Sequence, residues 1–570
     1  MTGKKFALIE SSMIVALVAI FAVNIVIHQK KNNDNETHIS MDYYGNSLFE
    51  GDDNYQDNVW LRMIKEQLGF TPVIDTAVST TDYETKINIA IGANNISDMF
   101  SINLNQFNSL ATNDQIYDDL TNVFDNYASD ELKRAMGWEA ELKQNSPAFK
   151  KWTINKKLKA IPTSSIDYAA CPVLYIRKDW LDIIGYDAPK TLDELERILF
   201  KFKENNLGKG LSACKDILFS NAGSLDLIFN AYGSYPTLFK RNSDGSLAFG
   251  FEGEETKRAL DRMQYWYSNG LIYPQFAQTN SETIGNKIAS SELGIIYGDM
   301  SIPLWRCNTC VSKYLESDFI CVPAPALNVN TPTKVGVKNT GSEAYVVKKN
   351  YEHPERLIQM MNLYYHSMFS NEGDFERFNK FCQAYPIWME PVDKNYFRSK
   401  EVKAAIDNDR NSEVFKNESI DFKDVDKEII SGLKYNDICD EAKYYYRNIR
   451  EYFLYGQQHN AGNNWAYTRI FYSYEDENGL TMVNGNKGFD SSFSAIDKYA
   501  DNSLVVHSIY EGVDTPSYST NRRMIETKIE ETMIKIIQGS ASSNMDKVVN
   551  QISKWTTPVL EEIERELQND

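Results

Sequence analysis

The stretch YIRKDWLDIIGYDAPKTLDELERIL, residues 175–199, contains the signals of a strand, a short helix, a proline joint and a second helix. Its apolar start predicts a buried strand, and Asp179 is expected to cap the short helix that ends at Gly185. Thr191 and Glu194 have the spacing of a capping box at the start of the second helix. The stretch therefore predicts the strand–helix alternation of an α/β protein.

The same alternation recurs on the amino-terminal side of this stretch. Residues 38–45 and 70–78 predict strands, and residues 57–69 predict a helix between them that ends at Gly69. A further strand is expected to start near Asp98. Strands that alternate with helices at short intervals predict βαβ units and a largely parallel sheet.

Length and composition indicate a folded protein with more than one domain. The 570 residues leave room for two to four globular units, and 42% of them are hydrophobic and 24% charged. The formal net charge of −19 disfavours nucleic-acid partners, because the chain repels phosphate backbones. Most of the 34 tyrosines must fill the core, but so many also suit a surface that binds polar ligands with apolar faces.

The amino terminus predicts membrane targeting. Lys4 and Lys5 precede the apolar residues 11–27, which are at the short end for a membrane span. No small-residue pair marks a cleavage site, so we expect an uncleaved anchor, with an atypical cleaved signal as the alternative. No cysteine occurs before Cys171, which excludes a lipoprotein anchor. Residues 30–37 form a polar tether to an exported domain.

Motifs for metal binding and catalysis are weak or absent. Cys307 and Cys310 form a single CxxC pair, interpreted as buried thiols or an incidental disulfide rather than a redox or zinc site. Residues 407–418 resemble a calcium loop, but Ser412 stands where the sharp turn needs glycine, so a solvated acidic segment is favoured. We find no GxSxG, HExxH or P-loop. We therefore predict no catalytic residue, no metal and no cofactor, although plentiful acidic pairs leave a glycosidase open.

Four segments in order resemble the extracellular solute-binding proteins of ABC transporters. They are NNISDMFSI (94–102), VLYIRKDWLDIIGYDAPKTLDEL (173–195), ELGIIYGDMSIPLW (292–305) and YVVKKNYEHPERLIQMM (345–361). The resemblance is to the carbohydrate-associated family 1 type, in its large Gram-positive lipoprotein-like subgroup, and it runs from about Ile39 to Trp555.

The resemblance implies a periplasmic-binding-protein-like fold: two α/β lobes, a multi-strand hinge and a ligand cleft between them. The implied domains are an anchor and tether (1–36), lobe 1 (37–162 and 336–400), lobe 2 (163–335), an insertion across the lobes (401–503) and a C-terminal helical part of lobe 2 (504–570). Two features depart from the family. The lipobox cysteine is missing, and residues 203–216 lack the carboxylate spacing of the calcium loop that some relatives carry.

Candidate ligand-binding residues follow from their positions in these segments. A sugar offers hydroxyl groups and an apolar C–H face, so its site needs flat rings for stacking and polar side chains for hydrogen bonds. The candidates are Tyr43, Tyr44, Asp98, Phe100, Tyr175, Arg177, Tyr232, Asp299, Trp305, Trp388 and Tyr518. Each has a competing interpretation as core packing, a helix cap or a surface ion pair. Trp305 is the leading candidate, because relatives often place an aromatic ring there against the ligand.

The functional prediction is a monomeric, membrane-tethered protein on the extracellular face that captures a carbohydrate, most simply an oligosaccharide. It would deliver this ligand to the permease subunits of an ABC transporter. The alternative is a ligand-binding sensor subunit for a membrane signalling kinase, and a third hypothesis is a polysaccharide-active enzyme.

Overall fold

The computed structural model describes a large part of the 570-residue chain. The described residues are 36–43, 54–138, 140–141, 143–163, 171–216, 223, 225–337, 343–369, 465–466, 468–470, 482–483, 486–487, 491–510, 514–540 and 544–569. The predicted anchor and tether and most of the predicted insertion lie outside these residues. Within the described ranges, no helix is both long and apolar enough to cross a membrane.

Short strands and helices alternate along the described chain. The strands are β1 (Thr37–Tyr43), β2 (Pro72–Ser79), β3 (Met99–Asn103), β4 (Thr153–Ile154), β5 (Lys157–Leu158), β6 (Ile161–Pro162), β7 (Val173–Arg177), β8 (Phe239–Arg241), β9 (Leu247–Phe249), β10 (Ile295–Gly298), β11 (Phe319–Val322), β12 (Val335–Gly336), β13 (Glu343–Val347), β14 (Met482–Val483), β15 (Asn486–Lys487) and β16 (Val505–Val506). The helices are α1 (Val59–Leu68), α2 (Thr80–Gly92), α3 (Leu104–Thr112), α4 (Thr121–Tyr127), α5 (Asp130–Ala135), α6 (Pro147–Lys150), α7 (Lys178–Ile184), α8 (Leu192–Glu204), α9 (Asp226–Ala231), α10 (Glu254–Ser268), α11 (Ser281–Ala289), α12 (Asn308–Lys313), α13 (Glu355–Phe369), α14 (Ser492–Asp501), α15 (Pro516–Ile537) and α16 (Asn544–Asn569).

The buried apolar side chains form two separate cores. One core draws on residues 39–161 and 344–365, and we call this unit lobe 1. The other draws on residues 171–337 and 465–563, and we call it lobe 2. The chain therefore passes from lobe 1 to lobe 2, returns, and passes to lobe 2 again. The connections between the two cores, and with them the predicted multi-strand hinge, lie outside the described residues.

Lobe 1 is built on a mixed five-stranded sheet with the order β2-β1-β3-β13-β6. β1 runs parallel to β2 and β3, as the βαβ pattern predicts. β13 returns from lobe 2 and runs antiparallel to both β3 and β6. The helix between β1 and β2 also follows its sequence: the Asn58 side chain caps α1, Trp60 and Ile64 are buried, and Gly69 ends it in the left-handed conformation at φ +81°.

Lobe 2 differs from the predicted parallel arrangement. Its central sheet has the order β10-β7-β11, and β7 is antiparallel to both neighbours. All five residues of β7 are buried, as expected for a central strand that is covered on both faces.

The opening stretch folds as β7, α7 and α8, with one difference from its prediction. The capping box is confirmed, because the Glu194 backbone N–H donates to the Thr191 hydroxyl and the Thr191 N–H donates to the Glu194 carboxylate. Asp179 does not cap α7. Its carboxylate instead accepts hydrogen bonds from the guanidinium of Arg177, at 2.7 and 2.5 Å.

Part of the predicted insertion belongs to the core of lobe 2. Trp465, Phe493 and Tyr499 are buried there, although the sequence places them in the segment 401–503. The Arg469 guanidinium donates to both carboxylate oxygens of Asp318, at 2.8 and 2.9 Å. This ion pair holds Arg469 beside β11, so this part of the segment 401–503 packs within lobe 2.

Candidate functional site

Strand ends form the edge of the lobe 1 sheet at which the chain leaves for lobe 2 and returns from it. Thr163 is the last described residue before the chain leaves for lobe 2, and Glu343 is the first described residue after it returns. The Thr163 N–H donates to the Glu343 carbonyl at 3.1 Å. Glu343 pairs in turn with Asn103, the last residue of β3. Ligands of open α/β sheets bind outside the carboxyl ends of their strands. We call this side of lobe 1 its crossing edge.

Lobe 2 has a corresponding edge. The chain enters lobe 2 just before Val173, the first residue of β7, which pairs with Gly298, the last residue of β10. Asp299 and the turn after it therefore lie at the end of the sheet where the chain arrives from lobe 1. We call this end the crossing edge of lobe 2.

Asp299 organises the turn that follows β10. Its carboxylate accepts from the Ser301 backbone N–H at 2.8 Å and from the Ser301 hydroxyl at 2.5 Å. Its carbonyl accepts from the Tyr175 hydroxyl at 2.8 Å, and that hydroxyl also lies 2.9 Å from the Ser492 hydroxyl. The buried Tyr175 thus links β7, the turn and the start of α14.

Trp305 follows this turn in a π-helical segment. Pro303–Cys307 form a single π-type turn, a rare geometry that is frequently found at functional sites. Leu304 and Trp305 are the exposed apolar residues of this turn, and Trp305 is 37% exposed. The Arg306 guanidinium lies 4.6 Å from the indole centroid of Trp305 and 2.7 Å from the Glu282 carboxylate of α11. The lobe thus presents an indole ring with polar groups beside it.

Lobe 1 supplies polar groups at its own crossing edge. The side chain of Asn103 caps α3 through a reciprocal box with Gln106. The Ser79 hydroxyl donates to the Asp82 carboxylate at 2.9 Å, at the joint of β2 and α2. Hydroxyl, amide and carboxylate groups of this kind hydrogen-bond polar ligands.

Residues 60–306 match the bacterial extracellular solute-binding protein family. Three of the four segments, 94–102, 173–195 and 292–305, lie within the matched residues, and the match confirms the resemblance to extracellular solute-binding proteins. Proteins of such a family act outside the cytoplasm, and several of the similar proteins below are described as binding proteins.

Two curated relatives from Bacillus subtilis (strain 168) match a shorter stretch. The polygalacturonan/rhamnogalacturonan-binding protein YtcQ is 34% identical over 133 residues, which are 22% of this chain and 26% of that protein. The lipoprotein LipO is 30% identical over 134 residues, with the same coverage of 22% and 26%. The match thus spans about a quarter of the length of these relatives.

Solved structures of solute-binding proteins are similar over nearly the whole chain. The alginate-binding protein AlgQ2 has a TM-score of 0.54 at 13% identity, covering 94% of this chain and 98% of that one. An HMO-binding solute-binding protein from Bifidobacterium longum infantis has a TM-score of 0.55 at 13% identity, covering 94% and 98%. FusA of S. pneumoniae in complex with kestose has a TM-score of 0.54 at 14% identity, covering 94% and 100%. At these identities the likeness establishes the fold, which is the predicted periplasmic-binding-protein-like one.

Three candidate residues of this solute-binding fold are buried in the lobe cores. Phe100 is fully buried in β3, and Tyr175 is buried in β7, where burial also raises the pKa of its hydroxyl. Arg177 is 3% exposed at the end of β7 opposite the crossing edge. Its guanidinium binds Asp179 and donates to the Ser291 hydroxyl at 2.6 Å. These contacts engage all three side chains in packing or structural pairing, so their assignment to the ligand stays a prediction that the burial does not favour.

Asp98 lies at the wrong end of the lobe 1 sheet for a cleft residue. It precedes β3, and its carboxylate accepts from the His38 backbone N–H at 2.9 Å, near the start of β1. Burial raises the pKa of this carboxyl, while the His38 N–H and the nearby Lys348 oppose the shift. Asp98 thus accepts a hydrogen bond at the end of the sheet, and its predicted ligand contact stays a prediction.

Tyr518 lies within a helix, and Tyr232 directly follows one. Tyr518 is the third residue of α15 and is buried, with its ring 5.4 Å from that of Phe239 in an edge-on contact. Burial raises the pKa of its hydroxyl. Tyr232 follows the last residue of α9 and is partly buried, with the Arg258 guanidinium 5.3 Å from its ring centroid. These contacts of the two rings are with Phe239 and Arg258 and do not include Trp305.

Of the three remaining aromatic candidates, the structure describes only Tyr43. Tyr43 ends β1, at the carboxyl end of a parallel strand, where a ligand contact is expected. Tyr44, Trp388 and the calcium-like segment 407–418 lie outside the described residues. Of the eleven candidates, Asp299 and Trp305 both follow β10: Asp299 directly after its last residue, and Trp305 in the π-helical segment Pro303–Cys307.

Sequence reasoning missed Glu282 and Arg306, which flank Trp305. Arg306 could have been noticed as the neighbour of the leading candidate, but Glu282 is distant in the sequence and carries no local signal. The CxxC pair ends nearby: Cys307 and Cys310 are buried free thiols, and burial raises the pKa of both. In the described part of the chain, no cluster of His, Cys, Asp or Glu could hold a metal ion.

A separate polar groove of about 890 Å³ lies on lobe 1 between α2 and α3. Its lining includes Asn88, Asn105, Gln115 and Lys348. Lys348 donates its backbone N–H to the Asp98 carbonyl, at the end of the sheet opposite the crossing edge. No aromatic ring lines the groove within the described residues. Position and chemistry therefore favour the Trp305 region as the ligand site.

Proposed function

We propose that this protein captures an oligosaccharide between its two lobes and delivers it to the permease of an ABC transporter. The observation that carries the proposal is the exposed indole of Trp305, which lies just past the carboxyl end of β10. The family match of residues 60–306 and the glycan-binding descriptions of YtcQ and FusA support it.

The chemistry of the crossing edges fits a sugar. An indole ring can stack on the C–H face of a pyranose, and the neighbouring carboxylate, amide and hydroxyl groups can bond its hydroxyls. One stacked ring and several hydrogen bonds are compatible with micromolar affinity, roughly −8 kcal/mol. Closure of two lobes about the ligand would remove water from both of its faces.

The proposal includes the location and the partners of the protein. The apolar residues 11–27 would hold it on the extracellular face of the membrane, with residues 30–37 as tether. It would act there as a monomer, with permease subunits as its protein partners and without catalysis. Fractionation of cells that produce the full chain, compared with a chain lacking residues 1–36, tests the tether: only the full chain should stay with the membrane.

Isothermal titration calorimetry against a glycan panel tests the binding function. The panel should contain galacturonan and rhamnogalacturonan oligomers, kestose and human-milk oligosaccharides. We expect one class to bind, and Trp305→Ala to weaken that binding about 10- to 100-fold, or roughly 1.4–2.8 kcal/mol. Absence of heat across the panel, or a Trp305→Ala variant that binds like wild type, would contradict the proposal.

A further inference from the structure

Helix α11 contains a glycine in its interior, although the helical backbone does not need a glycine at that position. Gly285 lies in the middle of Ser281–Ala289 and has no positive φ. Glycine is among the least favourable residues inside a helix, because it has the most conformational freedom to lose. A packing reason is therefore expected at this position.

The space that a side chain at Gly285 would need is filled by Trp305 and its neighbour. A Cβ atom there would lie 2.7 Å from Cη2 of Trp305 and 2.8 Å from Nε of Arg306. Real Cβ atoms essentially never approach other heavy atoms this closely, so the indole or the guanidinium would have to move. The indole edge thus rests directly on the helix backbone.

Arg306 holds the indole from a second direction. Its guanidinium lies over the ring at 4.6 Å from the centroid, a cation–π distance, and binds Glu282 one turn before Gly285. Two residues of α11 thus fix the ring: Gly285 by contact and Glu282 through Arg306. The exposed 37% of Trp305 is the part left for a ligand.

We propose that Gly285 is a positioning residue that determines the orientation of Trp305 and thereby the affinity for the sugar. This inference rests on the proposed function, since it assigns a purpose to the stacking ring. Any side chain at residue 285 would tilt or displace the indole from the plane in which it meets the pyranose face. A ring fixed before binding loses less conformational freedom when the ligand arrives.

The first test needs no ligand. Acrylamide quenching of tryptophan fluorescence is measured for wild type and for Gly285→Ala, each against its Trp305→Phe counterpart, so that the difference isolates Trp305. We expect Gly285→Ala to change the quenching constant of Trp305 at least twofold. Gly92→Ala is the matched control, because Gly92 is a helical glycine with nothing within 4 Å of an added Cβ. An unchanged quenching constant in Gly285→Ala would overturn the inference.

The second test measures affinity, with a size-fractionated polygalacturonan digest as the probe. We expect Gly285→Ala to bind about tenfold more weakly than wild type, and to cause no further loss in a Trp305→Ala background. Equal binding by wild type and Gly285→Ala would overturn the inference and leave the proposed function standing. If wild type does not bind the digest but the quenching changes, this sugar is excluded while the positioning role of Gly285 is supported.

Arg306→Gln is the second variant, in case Gly285→Ala does not fold. It keeps a polar side chain, removes the cation from the ring and breaks the pair with Glu282. We expect the same direction of change in both tests, at a smaller size. Wild-type quenching in Arg306→Gln would contradict the role of the guanidinium in fixing the Trp305 ring on α11.

Discussion

At the residue scale, the contacts of Arg177 distinguish a structural ion pair from a ligand contact. The side chain is 3% exposed and its partner Asp179 is held in a two-pronged contact. Arg177→Ala should lower the free energy of unfolding by about 3 kcal/mol, because the largely buried Asp179 carboxylate loses its partner. Arg177→Lys should cost less but should not restore the wild-type value, since lysine lacks the planar fork. Urea denaturation measures both.

A surface pair provides the control for Arg177. Arg62 lies 2.7 Å from Asp57 with both side chains at least half exposed, so Arg62→Ala should cost less than about 1 kcal/mol. Weakened sugar binding by Arg177→Ala at unchanged stability would return Arg177 to the ligand site.

Asp98 should leave a signature in the pH dependence of stability. Because burial raises the pKa of its carboxyl in the folded state above the ordinary value of 3.8, the folded protein holds this proton more tightly than the unfolded chain. Its contribution to stability is therefore present below pH 3.8 and is lost as the pH rises through the folded-state pKa. Asp98→Asn keeps an acceptor for the His38 N–H, so it should gain stability relative to wild type as the pH rises through this window.

Asp244 gives the opposite sign and serves as the control. The Ser246 hydroxyl and N–H hold the pKa of the Asp244 carboxyl below 3.8, so its contribution is present above that pH and is lost on acidification. Asp244→Asn should therefore lose stability relative to wild type as the pH rises. Urea unfolding from pH 3 to pH 7 compares the two variants, and parallel profiles would refute the assignment for Asp98.

At the element scale, the capping box of α8 should be a separable source of stability. The Thr191 hydroxyl accepts from the Glu194 N–H at 3.2 Å, so Thr191→Ala leaves a helix-terminal donor without its acceptor. We expect a loss of about 1 kcal/mol in the free energy of unfolding. Thr520→Ala, on the exposed surface of α15, should stay within about 0.5 kcal/mol of wild type. Equal effects of the two substitutions would show that the cap contributes no more than an ordinary surface threonine.

The elements that sequence reasoning predicted well are those with local signals at both ends. α1 and α8 each have a side-chain cap, an apolar stripe and a stop within a few residues. α15 also carries a readable start, because Thr515 caps it and Pro516 takes its first position. Asp179 was misassigned because an arginine two residues away competes for the carboxylate, and a cap preference does not include that competition.

The site was harder to predict than the elements because its contacts are distant in the sequence. Trp305 is a candidate through its position in a segment that resembles the family, but the residues that hold it come from α11, about twenty positions earlier. Burial was the other difficulty. Side chains of a central strand such as β7 are covered on both faces, so alternation does not distinguish Tyr175 from a cleft residue.

At the scale of the whole molecule, the two cores predict two unfolding events. The buried apolar residues of lobe 1 and lobe 2 form separate clusters, so each lobe can melt as its own cooperative unit. Differential scanning calorimetry of the ligand-free protein should therefore give two overlapping transitions.

A sugar that contacts both lobes binds only when both are folded, and at 100 times its Kd it stabilises the folded protein by about 2.7 kcal/mol. It should raise the transition temperatures and merge the two peaks, less so in Trp305→Ala at the same sugar concentration. A single two-state transition without sugar would mean that the lobes already unfold as one body, and a sugar that shifts only one of two peaks would place the binding site within one lobe.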